Sequence, residues 1–160
     1  MTQTLSKENR EVLADWLIVV GAVSLFGSLF FTWSHQFSPT FLLEFGSSDL
    51  LRGVPHNPTA WQVYSAADVV LALLAAALVA VALVGDRRVR MAATAASAIA
   101  LGFTLHALST PPTNGANIFN PAYDVPRYAS PGASAGVGET IAVIALVLAL
   151  AGLAVSFTAD

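Results

Sequence analysis

The chain has 160 residues, of which 56% are hydrophobic and 11% charged, with a net charge of −3. A soluble domain carries about 25% charged residues, so composition argues against a soluble enzyme domain, a disordered tail and a nucleic-acid binder with its basic surface. The chain has no cysteine, which removes a disulfide framework, an iron–sulfur cluster, thiolate zinc and dithiol redox chemistry. The class that remains is an integral membrane protein.

The few charges are clustered. Asp, Glu, Lys and Arg are missing from Trp16 to Leu43, from Val69 to Gly85, from Met91 to Tyr123 and from Thr140 to Ala159. A helix needs roughly 20 apolar residues to cross a bilayer. Four spans are therefore predicted, at about 13–34, 62–85, 90–109 and 137–158. Pro111-Pro112 closes the third, because proline lacks the amide donor. The first span begins like a signal peptide, with a basic start and an apolar middle. Its apolar stretch is too long for one, and Phe30-Phe31-Thr32-Trp33 offers no small-residue cleavage site, so a retained helix is expected. The expected fold class is all-α: one domain over 1–160, built as an antiparallel bundle of four transmembrane helices.

With an even number of spans, both termini share a side. Lys7, Arg10, Arg87, Arg88 and Arg90 lie on that side, and Arg52 and Arg127 on the other. Five basic residues against two predict cytoplasmic termini in a multi-pass protein of the cell (plasma) membrane. Trp16 would mark the inner interface, and Trp33 and Trp61 the outer one.

In lipid, close packing of helices depends on small residues. The second span carries Ala72, Ala76 and Ala80, and the third Ala92, Ala96 and Ala100. The connection Gly85-Asp86-Arg87-Arg88-Val89 forces these two spans into a hairpin, so the two alanine ridges are expected to face each other. Gly21, Ser24 and Ser28 on the first span, and Ala145, Ala149 and Gly152 on the fourth, form thinner ridges with no short loop to pair them.

All 8 prolines fall in the external segments, about 35–61 and 110–136, together with His35, His56, Phe119, Tyr123 and Tyr128. Connections between bundled helices usually need two to eight residues, so these segments are long enough to be functional. Phe37-Ser38-Pro39 reads as a helix start, with Ser at the cap and Pro in the first helical position. Phe41, Leu42, Leu43, Phe45, Leu50 and Leu51 follow, as in a short amphipathic helix with a break. The two segments are expected to be ordered and to form a small extracytoplasmic cap. Phe41, Phe45, Phe119, Tyr123 and Tyr128 are its candidate contact residues. A simple cover for the helix ends is the plainer alternative.

Asp68, His106 and Glu139 fall in the outer third of the predicted membrane region, and ionisable residues there are candidate functional groups by default. With His35 and His56, they are the candidate metal ligands, although no histidine pair has helical metal-site spacing and no metal is expected. Each has a structural alternative. Ser65-Ala66-Ala67-Asp68 fits a capping box, Glu139 suits the positive end of its helix, and His106 can bond a loop carbonyl. A transporter using Asp68 or Glu139 is a further alternative, without a proline-broken helix to support it. No span is polar enough for a channel.

The layout resembles that of tetraspan proteins such as claudins, with a large first external segment that contains a tryptophan. The cysteine pair of that motif is missing here, so no residue role is carried over. The leading expectation is a non-enzymatic structural or accessory subunit. It would associate with copies of itself or with a larger membrane complex, with bound lipid, no cofactor and no nucleic acid. The alanine-rich, lysine-poor usage is compatible with a GC-rich bacterial genome.

Overall fold

The computed structural model describes residues 6–45, 47, 56–64, 66–84, 86–112 and 134–159. In chain order they form α1 (Lys7–Ser28), β1 (Ser34–His35), α2 (Pro39–Phe45), α3 (Ala60–Val63), α4 (Ala67–Val84), α5 (Arg87–Ser109), β2 (Ser134–Ala135) and α6 (Val137–Ala159). Four of these, α1, α4, α5 and α6, are long and apolar enough to cross a membrane. At 1.5 Å per residue, the 18 residues of α4 reach about 27 Å, close to the thickness of a hydrocarbon core.

The helix starts follow local chemistry. Ser6 caps α1 by accepting a hydrogen bond from the Asn9 amide, and Asp86 caps α5 by accepting one from the Arg88 amide. α2 begins at Pro39, as its Ser-Pro signal predicts. The first spanning helix ends six residues before the expected boundary, at Ser28 rather than residue 34. The amides of Leu29, Phe30 and Phe31 turn back to the carbonyls of Phe26, Gly27 and Ser28. That tighter final turn releases the chain into β1.

The closest packing lies between α1 and α6. A Cβ on Gly21 would stand 2.7 Å from the Ala145 carbonyl oxygen, and one on Gly152 would stand 2.7 Å from that of Ala14. The bare backbone is what lets these helices touch, the mechanism expected of small residues in a membrane. α4 packs on α1, and α5 on α6.

The alanine hairpin is corrected by this arrangement. α4 buries Leu71, Ala75, Leu78 and Val81, and α5 buries Ala93, Ser97, Ala100, Thr104 and Ala107. Ala76, Ala80, Ala92 and Ala96 are exposed, Ala72 is half-buried, and only Ala100 of the predicted ridges is buried. The short turn keeps α4 and α5 adjacent, but each helix finds its main partner elsewhere, so the hairpin stays splayed. An apolar groove of about 540 Å³ runs between them, lined in part by Leu71, Leu74, Ala96, Ile99 and Phe103.

Two further expectations change. The fold is not purely helical, since β1 and β2 pair antiparallel through Ser34–Ala135 and His35–Ser134. These residues lie where helices have ended, and the ladder gives their backbone groups partners. Trp33 is no interface anchor. It is 0% exposed, whereas Trp16 is 64% exposed. The outward faces of the long helices carry large apolar side chains such as Val70, Leu73, Ile99 and Ile144, the surface that lipid requires.

Candidate functional site

The residues that follow α1 organise one end of the molecule. The Trp33 amide donates to the Pro58 carbonyl at 2.9 Å, and the Gln36 amide to the His56 carbonyl at 3.0 Å. Thr32 forms an isolated bridge with Thr59, and Thr59 opens α3, its amide donating to Gln62 Oε1 at 3.0 Å. Gln36 Nε2 donates to the Pro112 carbonyl at 2.9 Å and also reaches Ser34 Oγ. From the α6 side, the Gly136 amide donates to the Trp33 carbonyl at 2.8 Å and the Gly138 amide to the Thr32 carbonyl at 2.7 Å. The segment 32–36 thus ties the approach to α4, the exit from α5 and the start of α6 into one knot.

Trp33 fills the centre of it. Its Nε1 donates at 2.9 Å to the Ser28 carbonyl, which also accepts from the Phe31 amide, so the buried indole donor is satisfied. Tyr64 stands edge-on to Trp33, with ring centroids 5.7 Å apart, and Phe103 of α5 stands edge-on to Tyr64 at 5.4 Å. Burial pushes the Tyr64 hydroxyl up to about 12, with the charge of Glu139 as the second cause.

The predicted ionisable residues occupy different settings. Asp68 is 3% exposed on α4, so it faces protein as expected. It lies with the Leu71 face rather than the Ala76 row, and its Oδ1 accepts from the Val69 amide at 2.8 Å. The proposed capping partner, Ser65, lies outside the described residues. His106 is exposed near the end of α5, on the same face as exposed Ala95, Ile99 and Gly102, and its carbonyl accepts from the Thr110 amide and Ser109 Oγ. His35 Nδ1 lies 2.7 Å from Asn57 Oδ1, and the His56 ring stands edge-on to Phe37. The structure does not draw these groups together. Among the described residues, no three His, Asp or Glu side chains are placed to hold a metal ion.

Glu139 stands apart. It is 0% exposed in the first turn of α6, and neither carboxylate oxygen has a hydrogen-bond partner among the described residues. Glu139 keeps its place at the positive end of α6, while the Gly136 and Gly138 amides donate to the carbonyls of Trp33 and Thr32. Two buried hydroxyls are bonded within their own helices. Ser28 donates to the Leu25 carbonyl, and Thr104 to that of Leu101.

At the opposite end, Arg90 is buried with a guanidinium nitrogen 3.7 Å from Asp15 Oδ1, and Arg10 donates to the Thr158 carbonyl at 2.9 Å. Of the candidate contact residues, Phe41 and Phe45 belong to α2. Phe119, Tyr123 and Tyr128 lie outside the described residues. Trp33, Gln36 and Tyr64 build the knot without having been singled out as a site. Their roles depend on distant partners, 76 residues away from Gln36 to Pro112 and 103 from Trp33 to Gly136, and no local spacing announces such pairs.

No protein-family model, curated protein or solved structure matches the chain.

Proposed function

We propose that the chain is a non-enzymatic multi-pass membrane protein that acts as a structural or accessory subunit. It works through its loop-end segments and helix faces, against copies of itself or within a larger membrane complex. In this reading α1, α4, α5 and α6 make one antiparallel bundle, with both termini in the cytoplasm of a plasma membrane. The segments 35–61 and 110–136 make an extracytoplasmic cap. The basic residues of the N-terminal region and of α5 support that orientation.

One observation carries the reading. Ala76, Ala80, Ala92 and Ala96 lie exposed, Ala76 in an apolar groove between α1 and α4 and Ala96 in the one between α4 and α5. Small residues on an open face let another helix approach the backbone, which is where association in lipid gains its contacts. Bound lipid filling the groove is the competing occupant.

The absence of cysteine makes this directly testable. Single cysteines are introduced as Ala76→Cys and Ala96→Cys, with Ile144→Cys on exposed α6 as the comparison, and cross-linked in native membranes. A product from the α4 and α5 positions that exceeds the α6 product supports association through this face. Equal or absent products at all three positions would remove it.

A further inference from the structure

We propose that Glu139 is a cation site: its enclosed carboxyl binds a proton or, in its place, a small monovalent metal ion. The site goes beyond the association reading and does not depend on it.

Enclosure and the lack of any partner together lead there. Glu139 is 0% exposed, and both of its oxygens are without a hydrogen bond among the described residues. A carboxylate taken out of water without a counter-charge or donors is strongly unfavourable, and proteins avoid that state by supplying a positive partner. Among the described residues none supplies one. The ion pair among the described residues joins Arg90 and Asp15, at the opposite end of the helices. The Gly136 and Gly138 amides donate to the Trp33 and Thr32 carbonyls, and the Trp33 indole donates to the Ser28 carbonyl. A positive charge from outside meets that need. Complete enclosure restricts it to a small ion, and a carboxyl that shares no acidic cluster among the described residues suits a monovalent one.

The titratable groups at this end do not take that role. Tyr64, from the approach to α4, carries a phenol that responds to the charge on Glu139. Asp68 of α4 is a second acid, and its Oδ1 accepts from the Val69 amide. His35 of β1 is engaged with Asn57, and His106 of α5 is exposed. The knot of 32–36 closes directly over the start of α6 through the Gly136 and Gly138 amides. Movement of that two-residue ladder would give an ion its way in and out.

The test uses the full chain in lipid nanodiscs and the apolar carboxyl reagent dicyclohexylcarbodiimide, with the modified residue located by peptide mass spectrometry. Modification is expected at Glu139, lost in Glu139→Gln and retained in Glu139→Asp. For a proton site, its rate falls about tenfold for each unit of pH above the midpoint. For a metal-ion site, added sodium suppresses it at constant pH. Either dependence supports the proposal and identifies the ion. An unmodified Glu139, or a rate indifferent to both pH and sodium, overturns it. Because the readout is taken on the wild-type chain, a folding defect in a variant does not mask the answer, and neither result depends on oligomeric state.

Discussion

Gly152 of α6 crosses Ala14 of α1 so closely that a Cβ on the glycine would stand 2.7 Å from the alanine carbonyl oxygen. The same helix pair meets one interval further along, where Gly21 faces Ala145 and Ala149. These two contacts set the distance between the first and last long helices, and the other two helices pack on that pair.

Replacing Gly152 with Leu should force α1 and α6 apart and cost about 1–3 kcal/mol, the usual penalty for overpacking. Gly102 of α5 supplies the control, because an added Cβ there meets nothing within 4 Å. Gly102→Ala should be neutral or stabilising by up to about 1 kcal/mol through lost backbone freedom. Unfolding midpoints in one detergent system compare the two directly.

Trp33 should behave as a core residue, not as a membrane-interface anchor. Trp33→Ala should cost about 3–5 kcal/mol, as large aromatic truncations in cores do. Trp16→Ala should stay within about 0.5 kcal/mol, because that ring is 64% exposed. In wild type, part of the tryptophan fluorescence should resist quenching by acrylamide, and Trp33→Phe should remove that part.

Tyr64 gives a pH signature. Burial pushes its hydroxyl up to about 12 in the folded chain, above the ordinary tyrosine value of about 10. The neutral form is thus favoured by folding. This contribution is fully present below about pH 10 and is lost as pH rises through about 12, because the unfolded chain releases the proton first. Tyrosinate absorbance should show a late component that Tyr64→Phe removes. Glu139→Gln should move that component earlier but not to the ordinary value, since burial is the larger cause.

The four long helices were readable because uncharged runs of this length have few other uses. Which face each helix would bury was not. α4 is apolar nearly all round, so periodicity does not choose between the Leu71–Ala75–Leu78 stripe and the alanine row one position further on. The partner helix made that choice, and the short turn after α4 gave adjacency without intimacy. The less emphasised ridges of Gly21 and Gly152 proved to be the close contacts. At the candidate site, the carboxyl of Glu139 and its place at a helix start were visible in the sequence, but its enclosure was not, because the segment 32–36 that closes over the start of α6 comes from about a hundred residues away.

The claim of association is tested most directly by the mass of the particle that leaves native membranes without prior detergent purification. One chain has a mass of 16.6 kDa. A multiple of that mass, or a particle that also contains other subunits, is the expected result. A lone 16.6 kDa chain carrying only lipid would contradict it.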